Sequence, residues 1–173
     1  MVETATWKQG VGQEQDACIY ASSVATYGNG EEGFDDQQDI MRLCPLNGYG
    51  YSKQLFDLWV EKEIKLGYTI PKQHVGFNFF NVYGSNEYFK GSMASVIFHT
   101  YNDVIKTGKK ELFKSYNPQY EDGGQLQDFI YVKDICKVVW FMMEHAEISG
   151  LFNLGTGRAR SFRELEEASF RAM

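Results

Sequence analysis

The chain has 173 residues, enough to bury one ordinary core, so it reads as one domain or a piece of one. Apolar residues make up 43% and aromatic residues 16% of it, which excludes a disordered chain. The net charge is −6 and the basic residues are scattered or interleaved with acids, as in Glu61, Lys62, Glu63, Ile64 and Lys65, so no nucleic-acid partner is expected.

Residues 1–16 are polar and non-periodic and read as a loose lead-in, without the apolar core of a secretory signal. Residues 17–21 form a short apolar run, expected as a buried strand, with Ser22 and Ser23 just past its end. Residues 27–47 are rich in Gly, Asp and Glu and read as a long loop of the kind that often carries function. From 49 to 66 the pattern turns helical, with Leu55, Phe56, Trp59, Val60 and Ile64 on one face. Glu61 and Lys65 make a favourable pair one turn apart, and Gly67 is placed to end the helix in a left-handed cap.

Residues 75–82 read as a single strand. Met93, Val96, Ile97, Tyr101 and Val104 make a second helical stripe that ends near Gly108. A turn-rich loop at 117–127 leads to a strand at 129–132, and Asp134 is expected to cap the helix that runs on to about His145. A strand at 151–154 follows, and Ser161 with Glu164 fits the capping box that opens a last helix. Strands and helices alternate, which predicts an α/β fold with a parallel sheet. No apolar run reaches membrane-spanning length. Cys18, Cys44 and Cys136 are far apart and form no CxxC pair, so three reduced, buried thiols in a reducing cytoplasm are expected, with neither a disulfide framework nor a metal site.

Tyr49 lies four residues before Lys53, on one helical face, whereas Tyr51 points elsewhere. An ammonium beside a phenol favours the phenolate, which would make Tyr49 a general acid or base. Taken alone, Tyr-x-x-x-Lys is a common chance spacing. Ser22 and Ser23 add a hydroxyl near the carboxyl end of a strand, where a parallel sheet places its ligand crevice. A serine, a tyrosine and a lysine in this order suit hydride chemistry on a sugar alcohol.

YASSVATYG at 20–28 and PLNGYGYSK at 45–53 resemble the extended short-chain dehydrogenase/reductases. FNVYG at 80–84, FKGSMAS at 89–95, DFIYV at 128–132 and FNLGTGRA at 152–159 look like the ADP-glyceromanno-heptose 6-epimerase family among them. That resemblance implies a partial Rossmann-like parallel sheet with helices plus part of a smaller substrate-binding domain. Residues 17–90 would belong to the dinucleotide-binding domain and 91–173 mostly to the substrate region, with 128–150 returning to the Rossmann-like part. It further implies bound NADP and transient oxidation at C6 of an ADP-linked heptose, in lipopolysaccharide core precursor synthesis. A homo-oligomer is implied for the full-length protein.

Carried over residue by residue, the resemblance makes Tyr49 and Lys90 the two acid/base groups, with Ser23 beside the reacting carbon. Lys53, Val82, Tyr49 and Lys90 would contact the cofactor. Asn81, Ser92, His99, Phe113, Lys114, Ser115 and Tyr116 would contact the substrate. Without the resemblance, Lys90 reads as a solvated loop lysine and His99 as a core or rim histidine.

Three departures stand out. The Gly-rich GxxGxxG turn that binds a dinucleotide pyrophosphate is missing, and Gly10 with Gly12 is a chance match. The chain is therefore expected to begin at the middle of the dinucleotide sheet, and to neither retain NADP nor catalyse epimerisation alone. Gln127 stands where the family has an arginine that contacts the substrate's ADP, and Gly48 where a valine is usual. A non-catalytic remnant and another sugar-nucleotide epimerase or dehydratase are the alternative readings.

Overall fold

The computed structural model describes residues 17–68 and 70–173, so the lead-in and its two glycines lie outside the described residues. Two three-stranded sheets carry the fold. In the first, β1 (Ala17–Ser23), β2 (Gln73–Phe79) and β5 (Gly150–Leu154) run parallel in the order β1-β2-β5. In the second, β3 (Asn81–Tyr83) pairs in parallel with β4 (Leu126–Tyr131), and β4 pairs antiparallel with β6 (Ala159–Ser161). Parallel neighbours need a crossover, and α1 (Gly48–Lys65) supplies it between β1 and β2. The remaining helices are α2 (Val96–Thr107), α3 (Val132–Glu144) and α4 (Phe162–Ala172). The fold class is α/β with a parallel sheet, to which β6 adds one antiparallel edge.

The core follows from the central position of β2. Val75 and Phe77 on that strand are buried with Ile130 of β4, Ile135 of α3 and Leu154 of β5. Val138, Val139 and Met142 of α3 pack against this cluster at helical spacing, which explains why α3 lies on the first sheet. Gln73 is buried at the start of β2, and its Nε2 donates to the carbonyls of Met142, His145 and Ile148, closing the carboxyl end of α3.

Local chemistry fixes the helix ends. Gly67 has φ +70; its N–H bonds the Ile64 carbonyl while that of Tyr68 bonds Glu63, the double closure expected of a left-handed cap. Ser161 and Glu164 form the capping box, and the Lys65–Glu61 pair is made at 2.6 Å. Asp134 is not a cap: Tyr131 occupies that position, and Asp134 sits inside the first turn with Lys137 at 2.9 Å from it. There it still opposes the positive end of the helix dipole.

Four other expectations are corrected. The strand expected over 75–82 breaks at Phe80, whose N–H bonds the Leu154 carbonyl, and its two parts join different sheets. The expected apolar face of α1 is largely at the surface, with Leu55, Trp59 and Ile64 exposed; the buried positions are Gly50, Gln54 and Asp57. Met93 falls in a short 3-10 turn before α2 and is exposed, and the buried residue of α2 is Thr100. The three thiols are free, but Cys44 and Cys136 are exposed and Cys18 is half-buried. Among the described residues no helix is long and apolar enough to cross a membrane.

Candidate active site

The carboxyl end of β1, the start of α1, the β2–β3 junction and the segment leading into α2 surround a cleft of about 410 Å3. Ser23, Tyr49, Asn81, Val82 and Lys90 all line it. Each arrives for a local reason. Ser22 and Ser23 lie within β1 rather than past its end, and the Ser23 hydroxyl accepts the Ala25 N–H to start a 3-10 turn. Asn47 caps α1 through the Gly50 N–H, which sets Tyr49 in the first turn. Gly50 is buried against the Ala25 carbonyl, where a Cβ would collide, so the helix start lies close on the 3-10 turn that follows β1.

The tyrosine and lysine spacing is realised as expected from a helix. The Lys53 ammonium sits 5.7 Å from the centre of the Tyr49 ring and donates to the Ala21 carbonyl at 2.8 Å. Tyr49 is exposed at the cleft. One turn beyond Lys53, Asp57 is buried and accepts the Ser22 hydroxyl at 2.5 Å. Burial drives the Asp57 carboxyl up to about 6, against the opposing pull of Ser22, Tyr20 and Lys53. Burial and then Asp57 push the Tyr20 phenol up as well.

On the far wall, Lys90 stands 3.5 Å from Glu87. Glu87 is buried, and its carboxylate accepts Gly84 N–H at 3.2 Å, Ser95 N–H at 2.7 Å and Ser95 Oγ at 2.7 Å. Burial alone would raise that carboxyl; the Ser95 and Gly84 bonds and then Lys90 outweigh it and hold it below its ordinary value. Asn81 donates to Gln127 Oε1 at 2.6 Å, so the residue flagged as a departure braces a cleft residue.

Not every candidate meets at the cleft. Lys53 lies behind Tyr49, Ser92 is exposed in the 3-10 turn, and His99 is half-buried on α2 with its ring 6.0 Å from that of Phe98. Phe113, Lys114, Ser115 and Tyr116 precede β4, where Gly123 N–H bonds the Phe113 carbonyl and the Phe113 ring meets Phe162 edge to face. Glu87 and Asp57 were missed in the sequence. Only their spacing was visible there, an acid three residues before Lys90 and one four residues after Lys53; the groups that bury and satisfy them were not.

The model of the NAD dependent epimerase/dehydratase family matches residues 4–155. An ADP-L-glycero-D-manno-heptose-6-epimerase of Fusobacterium nucleatum is 51% identical over 157 residues, covering 89% of this chain and 46% of that protein. A protein of the same name from Nitratidesulfovibrio vulgaris is 51% identical over 156 residues, covering 90% and 47%. The chain thus spans about half the length of the curated relatives it matches. Among solved structures, the ADP-L-glycero-D-manno-heptose-6-epimerase of Helicobacter pylori superposes with a TM-score of 0.71 at 30% identity, over 90% of this chain and 44% of that one. The fold alone is shared with Thermus thermophilus UDP-glucose 4-epimerase in complex with NAD, at TM-score 0.68 and 23% identity, over 91% and 48% of the two chains.

Proposed function

The chain belongs to the NAD dependent epimerase/dehydratase family, and on that premise we propose that it carries the reacting part of an ADP-heptose 6-epimerase. The observation that supports this most is that Ser23, Tyr49, Asn81 and Lys90, far apart in sequence, line one cleft. Inversion at a carbinol carbon by oxidation and re-reduction needs a proton-transfer group on each face of the sugar. Tyr49 and Lys90 come from different walls of the cleft and fill those two roles. Ser23 donates to the sugar oxygen, and Asn81 with Ser92, His99 and the 113–116 segment holds the rest of the substrate.

The lining fits a nicotinamide ring: Tyr49 and Lys90 offer polar atoms beside the apolar Val82 and Phe79, with Lys53 behind Tyr49. When bound, that cofactor would supply the hydride acceptor and donor for oxidation and re-reduction at the sugar's C6, and NADP is the form proposed. Lys53, held by the Ala21 carbonyl, orients Tyr49 and meets the cofactor's ribose; Val82 and Lys90 complete the contact. In this reading 17–90 and 128–150 serve the dinucleotide side, and the remainder of 91–173 serves the substrate. A cytoplasmic, homo-oligomeric enzyme of lipopolysaccharide core precursor synthesis is the corresponding whole protein.

The test is turnover of the protein translated from the whole reading frame that contains these residues, supplied with NADP and ADP-heptose. Tyr49→Phe and Lys90→Met should each lower epimerisation by about 10² to 10⁴-fold while NADP stays bound. Near-full turnover of Lys90→Met would sink the two-base assignment. Turnover of another sugar nucleotide, but not ADP-heptose, would move the protein to a different member of the family.

A further inference from the structure

A cleft of about 410 Å3 takes a sugar, and a whole sugar nucleotide must run out over its rim. The β4 side of that rim is built from one face of two antiparallel strands. Phe129 lines the cleft; Gln127, two residues earlier on β4, shares its face. The register places Arg160 of β6 directly opposite Gln127. Residues so opposed share a face, with Cβ atoms about 5 Å apart. Phe162, just beyond, meets both Phe129 and Phe113 edge to face, which ties this face to the 113–116 segment.

Gln127 itself is neutral, and its oxygen is taken by Asn81. The Arg160 side chain is exposed and makes no hydrogen bond or ion pair with the described residues, whereas Arg42 pairs with Glu32 and Arg163 bonds the Asp122 carbonyl. Glu164 feels the guanidinium, but its Oε2 accepts the N–H and hydroxyl of Ser161 in the capping box. Arg158 precedes Arg160 by two residues and adds a second positive charge.

We infer that Arg160 is a substrate-binding residue whose guanidinium reaches from β6 over Gln127 and holds the diphosphate of a nucleoside-diphosphate sugar. The inference rests on the functional reading above for the direction in which the nucleotide leaves the cleft. A guanidinium presents paired donors in a plane, which matches two phosphate oxygens at once.

Calorimetric titration of ADP and of adenosine into the same whole-frame protein tests it. Arg160→Gln should weaken ADP binding by about tenfold to a hundredfold and leave adenosine unchanged. Arg160→Lys should retain part of the loss, because it keeps charge but not the fork. The double variant Gln127→Arg with Arg160→Gln, which moves the guanidinium to the opposite strand on the same face, should recover ADP affinity to within about threefold of the parent. Equal ADP affinity of Arg160→Gln and the parent overturns the assignment while leaving the functional reading intact. Failure of the parent to bind ADP, with its fold confirmed by thermal melting, overturns that reading and the assignment with it. A loss of adenosine affinity equal to that for ADP overturns the assignment by placing Arg160 at the base or ribose.

Discussion

Asp57→Asn should change how the stability of this protein depends on pH. Asp57 is 2% exposed, accepts the Ser22 hydroxyl, and has its carboxyl pushed by burial from an ordinary 3.8 up to about 6. The folded protein therefore holds this proton more tightly than the unfolded chain does. Well below pH 3.8 both states are protonated and the group costs nothing. As pH rises toward 6 the unfolded chain releases the proton while the folded protein keeps it, and stability falls. Above 6 the full penalty remains. At about 1.4 kcal/mol per tenfold in proton affinity, the gap corresponds to about 3 kcal/mol. An amide at 57 has no proton to lose, and its oxygen still accepts from Ser22. Urea unfolding of parent and variant at a series of pH values from about 4 to about 8 isolates the effect. The variant should gain on the parent by about 2.5 kcal/mol across that range, most of it between about 4 and 6.5. A difference that stays constant with pH would refute the argument, since it would mean that Asp57 titrates alike in both states.

Glu87→Ala should destabilise the fold by about 3 kcal/mol, because Gly84 N–H and both donors of Ser95 lose their acceptor; denaturant melts check this. The sign of its pH dependence is opposite to that of Asp57. The Glu87 carboxyl is held below its ordinary 4.5, so its contribution is full above that value and fades as pH falls through the folded one, which the alanine variant should no longer show. Gly28→Ala should cost about 1–3 kcal/mol in thermal melting, since residue 28 has φ +62 and a Cβ there would collide with the Cys44 carbonyl.

Much of the fold was legible because its signals are local. Gly67 and the pair Ser161 with Glu164 announce helix ends that the backbone then makes, and the run at 17–21 is a strand. The inward face of α1 was not legible from hydropathy. Gln54 and Asp57 are buried because distant groups satisfy them: Gln54 donates to the Ile40 and Leu43 carbonyls, and Asp57 accepts from Ser22. Partners of that kind are fixed by tertiary structure and leave no trace in periodicity. The same holds at the cleft. The Tyr49 and Lys53 spacing is visible within one turn of helix, whereas Lys90 stood out only through resemblance, and Glu87 gains meaning only once Ser95 and Gly84 are folded around it.

The break at Phe80 also bears on how the chain avoids mispairing. One residue separates β2, aligned with β1 and β5, from β3, aligned with β4. The two sheets therefore share a single ruler. A slip of one residue in β2 would turn Val75 and Phe77 out of the core and displace Asn81 and Val82 from their places beside Phe129 and Ile130. An alignment error that a longer connection would absorb is penalised twice here, so the register that builds the core also spaces the floor of the cleft.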